Sequence, residues 1–391
     1  MKTRNLPAIF TALSIGTARL EPASAQTWVQ TSAPSNNWAS IALSADGTRI
    51  VAVAGGSHAG PIYTSTDYGV TWVSNSVTPE IWADVASSAD GTKLVAVAGG
   101  VYTNSGTTWA LAFSPGSPGN QQFADAVASS ANGSKLVIAD NLLFTPLIYT
   151  STNSGATWLS VTSSPNAGWT AVASSADGNY LVAARAAGFA GSIYTSTNAG
   201  ALWVSNNAPS FPWNSLASSA NGSNLLATAS PFLVASTNAG AVWAPVLNQP
   251  GAIYKIACST NGNIWFAIST NTGQIYSSFN SGANWIANTA PLTNWSAIAV
   301  SADGLRGAAA SDSGGIYILQ PPLLTITSAT NSVSLFWATN DALLGLGLEQ
   351  NTNLATTSWQ AVTTVPTVTN IYFRVTLPAT NSQLFFRLAS P

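Results

Sequence analysis

One short turn sequence recurs seven times along the chain, and this repetition limits the possible folds more than any other feature. Each copy is an Asp-Gly or Asn-Gly dipeptide that follows a Ser-Ala or Ser-Thr pair. The glycines of the copies are Gly47, Gly91, Gly133, Gly178, Gly222, Gly262 and Gly304. Their spacing of 40 to 45 residues matches a unit of four short strands, so seven such units are expected.

The residues between two of these turns predict four antiparallel strands. Residues 82–86 and 93–98 flank a tight turn at 89–91, which is typical of a β-hairpin. Residues 62–65 and 71–73 form a second hairpin in the fullest copies. Most strands carry apolar or small residues on both faces, as in sheets packed between neighbouring sheets, and helical spacing is absent. The prediction is an all-β fold, a seven-bladed β-propeller with four-stranded blades.

The turn of the second hairpin has a sequence of its own. Residues 65–72 read Ser-Thr-Asp-Tyr-Gly-Val-Thr-Trp, residues 151–158 repeat this pattern with Asn for Asp, and looser copies follow, one of them from Asn104 to Trp109. The pattern resembles the Asp-box, or BNR repeat. The resemblance assigns structural roles to Asp67, Gly69, Trp72, Asn153, Gly155, Trp158, Asn198, Gly200, Trp203, Asn238, Gly240, Trp243, Asn280, Gly282 and Trp285.

These box residues have a local physical purpose. The Asp or Asn side chain is expected to accept backbone N–H groups of its own turn. The Gly is expected to adopt a positive φ, and the Trp to pack into the apolar core. The boxes are therefore predicted to stabilise the fold.

The two ends of the repeat indicate how the ring closes. The seventh period ends at residues 316–319 with no box and no closing Trp strand. Residues 27–29 read Thr-Trp-Val, the same sequence as residues 71–73. We therefore predict that the N-terminal strand completes the last blade and ties both ends of the ring together.

Three segments are predicted along the chain. Residues 1–25 resemble a signal peptide, with Lys2 and Arg4 before an apolar stretch that ends in small residues. Residues 26–320 form the propeller. Residues 321–391 lose the period and predict a small β-sandwich-like domain, which resembles the fibronectin-type-III-like modules of secreted bacterial proteins. The protein is expected to be exported, to the periplasm, the cell surface or the medium.

Composition narrows the possible partners. Only 6% of the residues are charged and the net charge is -2, so no basic surface for nucleic acid or anionic lipid is expected. Cys258 is the only cysteine and His58 the only histidine, which leaves neither an internal disulfide nor a multi-histidine metal site. No long apolar run predicts a membrane span. A monomer without metal or cofactor is expected.

Most aromatic and acidic residues hold repeat positions that explain them as core or turn residues. Asp84 and Asp125 are exceptions, because each lies two residues after an aromatic at the start of an inner strand. That position is near the predicted central channel. Ligand binding is one interpretation, and a hydrogen-bonded strand end is the structural alternative.

Sialidases also carry Asp-boxes, but the residues that their chemistry needs are missing. That family uses three converging arginines, a Tyr nucleophile with a Glu partner, and an Asp as acid and base. Residues 26–320 contain only three arginines, which are not expected to converge, and one glutamate, Glu80. The sequence favours a non-catalytic protein. A diverged glycoside hydrolase is the alternative, and it would need two of Glu80, Asp140 and Asp312 in one cleft.

Strand order places both kinds of turn on one face of the ring and the loops of variable length on the opposite face. Recognition usually resides in variable loops on a rigid scaffold, so a peptide or a glycan is expected to bind there. Photosystem assembly factors and sortilin-like receptors, whose propellers are similar, bind peptide segments. The candidate ligand-binding residues are His58, Glu80, Asp84, Asp125, Asp140, Arg185, Phe189, Phe211 and Asp312.

Overall fold

The structure is a computed structural model with two compact units, of which Trp28–Leu319 is one and Gln320–Pro391 belongs to the other. It describes residues 27–56, 58–104, 108–114, 124–140, 147–161, 168–185, 191–320, 324–329, 332–338, 347–352, 358–369, 372–378 and 384–389. The described residues form strands, turns and loops but no helix.

Seven four-stranded antiparallel sheets make up the described part of the first unit. The inner strands are β2 (Trp38–Leu43), β6 (Asp84–Ser87), β10 (Ala124–Ser129), β14 (Trp169–Ser174), β18 (Ser215–Ser218), β22 (Ile253–Cys258) and β26 (Trp295–Val300). The second strands are β3 (Ile50–Ala54), β7 (Leu94–Val97), β11 (Leu136–Asp140), β15 (Leu181–Arg185), β19 (Leu225–Ala229), β23 (Trp265–Ser269) and β27 (Gly307–Ser311). We number the sheets 1 to 7 in the chain order of their inner strands.

The two remaining strands of each sheet lie further from the axis. The third strands are β4 (Ile62–Ser65), β8 (Val101–Asn104), β12 (Ile148–Ser151), β16 (Ile193–Ser196), β20 (Phe232–Ser236), β24 (Ile275–Ser278) and β28 (Ile316–Leu319). The outer strands are β5 (Val73–Ser74), β9 (Trp109–Phe113), β13 (Leu159–Ser160), β17 (Val204–Ser205), β21 (Ala244–Pro245), β25 (Ile286–Ala287) and β1 (Trp28–Gln30).

The N-terminal strand closes the ring. Strand β1 is the outer strand of sheet 7, and it pairs with β28 so that Trp28 lies opposite Leu319 and Gln30 opposite Tyr317. Inner strand β26 of sheet 7 also packs against β2 of sheet 1. The predicted pairing of the first strand with the last period is therefore confirmed.

Backbone hydrogen bonds join the seven Asp-Gly or Asn-Gly turns into a second closed circuit. The N–H of Ala45 donates to the carbonyl of Ala89 in the next sheet at 2.7 Å, and the N–H of Ala302 donates back to Ala45 at 2.8 Å. The donors in order are Ala45, Ala89, Ala131, Ala176, Ala220, Thr260 and Ala302. Each bond links the turns of two neighbouring sheets, so the seven turns form one continuous hydrogen-bonded ring on this face.

The turn glycines are required by their neighbours as well as by their own backbone. Gly91 has a φ of +69°, and a Cβ there would lie 2.6 Å from Cδ of Arg49 in the preceding sheet. A Cβ at Gly133 would lie 2.8 Å from Cδ of Lys93 in the same way. The side chain that follows one turn thus packs over the glycine of the next turn and leaves no room for a Cβ there.

The turns between third and outer strands have the expected local chemistry. Asp67 Oδ1 accepts the backbone N–H of Thr71 at 2.9 Å, and the N–H of Gly69 donates to Ser65 Oγ at 2.8 Å. Asn153 Oδ1 accepts the equivalent backbone N–H at 2.8 Å. Gly69 has a φ of +79°, a conformation that costs glycine little.

The tryptophans that end these turns differ in how deeply they are buried. Trp203 and Trp243 are buried, whereas Trp72, Trp158 and Trp285 are only half-buried. All three still pack against clusters of buried core residues, as expected.

The second unit contains two sheets in its described residues. The four-stranded sheet has the order β29 (Thr325–Ala329), β30 (Ser332–Ala338), β34 (Tyr372–Pro378) and β33 (Thr367–Thr369). The three-stranded sheet has the order β32 (Gln360–Ala361), β31 (Gly347–Asn351) and β35 (Phe385–Ala389). Leu335, Trp337, Val375 and Phe386 form its core, and Arg387 pairs with Glu349 at 2.6 Å.

Acidic pH should weaken the ring through the carboxylates of its turns. Hydrogen bonds from the Ser88 hydroxyl and the Thr92 backbone N–H hold the pKa of Asp90 below its usual 3.8, and equivalent bonds lower the pKa of Asp177. The folded protein then binds fewer protons than the unfolded chain. This stabilisation is therefore present above about pH 3.8 and is lost as the pH falls through the lower folded values.

The variant Asp90→Asn/Asp177→Asn tests this dependence. Asn132 occupies the same position in the third turn, where its Oδ1 accepts a serine hydroxyl at 2.9 Å and a backbone N–H at 3.0 Å, so asparagine fits the turn. Between about pH 5 and about pH 2.5, the melting temperature measured by circular dichroism should fall less in the variant than in the parent. Equal falls in the two proteins would contradict the role of these carboxylates.

Candidate functional site

The first residues of all seven inner strands enclose a cavity on the axis of the ring. Its volume is about 210 Å³. Its polar lining residues are Ser40, Asp84, Asp125, Thr170, Asn214, Ser215 and Lys255. We call it the axial cavity. Inner strands begin at the face that carries the variable loops, so the axial cavity lies toward that face and away from the circuit of turns.

Asp84 joins three sheets at the cavity wall. Its Oδ1 accepts a hydrogen bond from the hydroxyl of Ser40 in sheet 1 at 2.6 Å. The same oxygen accepts the backbone N–H of the next residue, Val85, at 2.9 Å. Its Oδ2 accepts the backbone N–H of Val127 in sheet 3 at 2.9 Å. A carboxylate offers about four acceptor positions, so one position on Oδ2 stays available.

Burial raises the pKa of the Asp84 carboxyl, because desolvation disfavours its charged form. The hydrogen bonds from Ser40 and Val127 and the charge of Lys255 act in the opposite direction. Burial dominates. Additional positive charge in the cavity would therefore relieve an unfavourable burial of the carboxylate.

Lys255 brings the opposite charge to the cavity from across the ring. It lies in sheet 6, three sheets from both sheet 2 and sheet 3, which carry Asp84 and Asp125. Its Nζ lies 5.2 Å from the ring centroid of Tyr254. Among the residues that the structure describes, this ammonium has no hydrogen-bond acceptor. The cavity thus has two carboxyl groups on one side and one ammonium on the other.

Sequence reasoning missed Lys255, although a signal was present. Counted from the turn glycines, Lys255 lies seven residues before Gly262, just as Asp84 lies seven residues before Gly91. A comparison of this one repeat position across all periods would have found the lysine together with the aspartate.

Asp125 lines the same cavity from a different repeat position than expected. Ala124 pairs with Asp140 at the start of its sheet, in the same way as Trp169 pairs with Arg185. Asp125 is therefore the bulged residue that follows the first pair, one position before the equivalent of Asp84. The equivalence of the two aspartates was wrong, because Asp125 lies eight residues before its turn glycine, Gly133, whereas Asp84 lies seven residues before Gly91.

The other predicted residues within the described part of the chain are not among those that line the axial cavity. Glu80 accepts the hydroxyl of Tyr102, on the third strand of sheet 2, at 3.0 Å. Burial and this hydrogen bond raise the pKa of Tyr102 to about 12. Glu80 is therefore held against the body of its sheet and away from the axis.

The remaining charged candidates are dispersed over the ring. Asp140 ends β11 with 0% of its surface exposed, so it is not accessible to a partner. Arg185 ends β15 and is half-buried, while His58 and Asp312 are exposed in the turns of sheets 1 and 7. Phe189 lies outside the described residues. Of the predicted residues that the structure describes, only Asp84 and Asp125 line one cavity together.

Apolar side chains are exposed on the variable-loop face of sheets 5 to 7. Phe232, which is 46% exposed, stacks on half-buried Phe211 with ring centroids 4.4 Å apart. Leu247 and Leu292, in the next two connections, are 88% and 70% exposed. We call Phe211, Phe232, Leu247 and Leu292 the apolar arc. Phe211 was predicted, and the other three were missed because isolated apolar loop residues carry no sequence pattern.

The described residues include neither a candidate metal site nor a membrane-spanning helix. No group of three or more His, Cys, Asp or Glu residues is placed to hold a metal ion among them. Nor does any described segment form a helix with the length and apolarity needed to cross a membrane.

Four-stranded antiparallel sheets in a closed ring around an axial cavity define a β-propeller. Neither a family model nor a curated protein matches this chain. Among solved structures, it is similar to YCF48 from Cyanidioschyzon merolae, with a TM-score of 0.57 and 15% identity over 75% of this chain and 98% of that chain. A structure of YCF48 bound to D1 peptide gives 0.55 and 15% over 78% and 99%. At such identity the likeness shows the fold alone.

Proposed function

We propose that this chain is an exported scaffold protein that binds an extended peptide segment of a partner without cleaving it. Its body is a seven-bladed Asp-box β-propeller, which a small β-sandwich-like domain follows. The peptide docks on the variable-loop face, where the apolar arc supplies the anchoring side chains.

The difference between the two faces of the ring carries this proposal. The turn face repeats the same backbone circuit in all seven sheets, so it offers little that could distinguish one partner from another. The variable-loop face carries side chains that no repeat position explains, including an exposed phenylalanine stacked on a second one. Rigid aromatic rings in loops are favourable anchors, because they bury a large area at a low entropic cost.

The solved structure of YCF48 with a D1 peptide supports peptide as the ligand class, since a similar propeller accommodates one. A glycoside hydrolase finds less support. Its candidate acids Glu80, Asp140 and Asp312 belong to three different sheets, and Asp140 is fully buried. Retaining and inverting hydrolysis both need two carboxyl groups within about 5 to 10 Å on either side of the scissile bond.

The test compares two triple variants, each of which replaces three exposed apolar residues by serine. Phe232→Ser/Leu247→Ser/Leu292→Ser alters the apolar arc, and Val70→Ser/Leu202→Ser/Val242→Ser alters equally exposed apolar residues of the box turns on the opposite face. Peptides selected from a random displayed library by the parent protein serve as probes. By calorimetry, the arc variant should bind them about thirtyfold more weakly, while the control variant binds as the parent does.

Both variants should melt within a few degrees of the parent, because they change only exposed side chains. The proposal fails if the arc variant retains full affinity, or if both variants lose affinity alike. It also fails if the library yields no peptide while a glycan array yields a bound glycan.

A further inference from the structure

We propose that the axial cavity binds a small zwitterion, a molecule that carries a primary ammonium and a carboxylate close together, such as a free α-amino acid. The ammonium lies against Asp84 and Asp125, and the carboxylate lies against Lys255. This site is separate from the peptide surface of the proposed function.

The placement of charge around the axis is the first argument. The described residues that line the cavity include three with ionisable side chains, and the ring places the single lysine diametrically opposite the two aspartates. A ligand with only one charge would face attraction on one side and repulsion on the other. A zwitterion oriented across the axis is complementary to both sides at once.

The hydrogen-bonding capacity at each pole is the second argument. Asp84 has its three accepted hydrogen bonds and one remaining acceptor position on Oδ2, which suits a donor from the ligand. Lys255 lines the cavity without an acceptor among the described residues, although an ammonium can donate three hydrogen bonds. A carboxylate that accepts a hydrogen bond from this half-buried ammonium would stabilise its charge. Charge-assisted hydrogen bonds of this kind are about twice as strong as neutral ones.

The polar residues between the two poles suit the same ligand. Asn214 and Ser215 of sheet 5 lie beside Lys255 in the ring, and Thr170 lies in sheet 4 beside the sheet of Asp125. The Thr170 hydroxyl already donates to the carbonyl of Trp213 at 2.9 Å. Donors and acceptors thus continue around the wall, as in sites where a few convergent polar groups orient a ligand.

The size of the cavity limits the ligand. A volume of about 210 Å³ holds the equivalent of about seven water molecules at ~30 Å³ each. Pockets for drug-sized ligands measure about 300 to 1,000 Å³. The axial cavity is therefore large enough for a small amino acid but too small for a folded peptide or an oligosaccharide.

Three related probes separate a zwitterion site from a simple ion site. L-alanine carries both charges, L-alaninamide carries only the ammonium, and N-acetyl-L-alanine carries only the carboxylate. In calorimetric titrations of the whole protein near neutral pH, L-alanine should bind at least about tenfold more tightly than either single-charge probe, since each lost ion contact costs about 1.4 kcal/mol or more.

Variants at the two poles test the orientation. Lys255→Met keeps the length of the side chain, and Lys255 makes no hydrogen bond to the described residues, so the variant should fold. It should lose about tenfold in affinity for L-alanine, while its affinity for L-alaninamide stays equal or rises. Asp125→Asn should weaken L-alanine and L-alaninamide together. Asp312→Asn removes an exposed carboxylate outside the cavity and should change neither.

Saturable binding of L-alanine that depends on Lys255 establishes the site. Equal binding of all three probes, no saturable binding of any of them, or unchanged L-alanine affinity in Lys255→Met would overturn it. The apolar arc shares no residue with the axial cavity, so peptide capture can fail while the zwitterion site stands, and the reverse also holds.

Discussion

Removal of residues 26–31 should lower the melting temperature of the entire ring. Strand β1 pairs along its whole length with β28, and Trp28 is buried against Phe266 and Trp295 of sheets 6 and 7. Loss of a buried tryptophan alone costs about 3–5 kcal/mol. The truncation also exposes the hydrogen-bonding edge of β28, so a fall of about 5 °C or more is expected in a thermal denaturation experiment.

Val29→Ser provides the matched control for this truncation. Val29 belongs to the same strand but is exposed, so the variant keeps the closure and should melt close to the parent. If the truncated protein unfolded at the parental temperature, closure by the N-terminal strand would contribute nothing to stability.

Trp82→Ala should be among the most destabilising single substitutions, at about 3–5 kcal/mol. Trp82 is 1% exposed, and its Nε1 donates to the carbonyl of Gly60 in the preceding sheet at 2.8 Å. Its ring also meets Tyr102 edge to face at 5.0 Å. The substitution therefore leaves a cavity and a buried carbonyl without its donor, and equilibrium unfolding in urea measures the loss.

The comparison variant is Trp158→Ala, which makes the same change at a half-buried box tryptophan. Its indole Nε1 donates to the carbonyl of Gly155, in its own turn, at 3.0 Å. The cost should be smaller than for Trp82→Ala, because less apolar area leaves the core. An equal or larger cost at Trp158 would mean that the box tryptophans, and not the inner-strand tryptophans, dominate the stability of the ring.

Local features of this fold could be predicted from the sequence because they depend on residues close together in the chain. The Asp-Gly turns and the boxes are short-range hydrogen-bonding patterns, such as Asp67 with Thr71. The turns recur every 40 to 45 residues, a length that matches four short strands in each period. The closing strand was predictable as well, since Trp28 carries a pattern that the last period lacks.

The candidate site was less predictable. Of the nine candidate residues, Asp84 and Asp125 line one cavity, whereas Glu80 bonds to Tyr102 and Asp140 is buried. Loop residues such as these follow no repeat, so their order in the chain does not reveal which of them converge. The side chains of Phe232 and Leu247 are exposed on the same face, and this exposure depends on the folded course of the loops, which the sequence does not reveal.

By itself, the sequence determined the period, the turns, the strand order and the closure of the ring, since each rests on local chemistry or on a repeat that can be counted. Only the tertiary structure decided which charges meet at the axis. Asp84 and Lys255 are 171 residues apart in the chain, and they face one cavity because seven sheets close into a ring that places sheet 6 opposite sheets 2 and 3. The one-residue bulge that brings Asp125 to the same wall depends on strand pairing, which side-chain identity does not reveal.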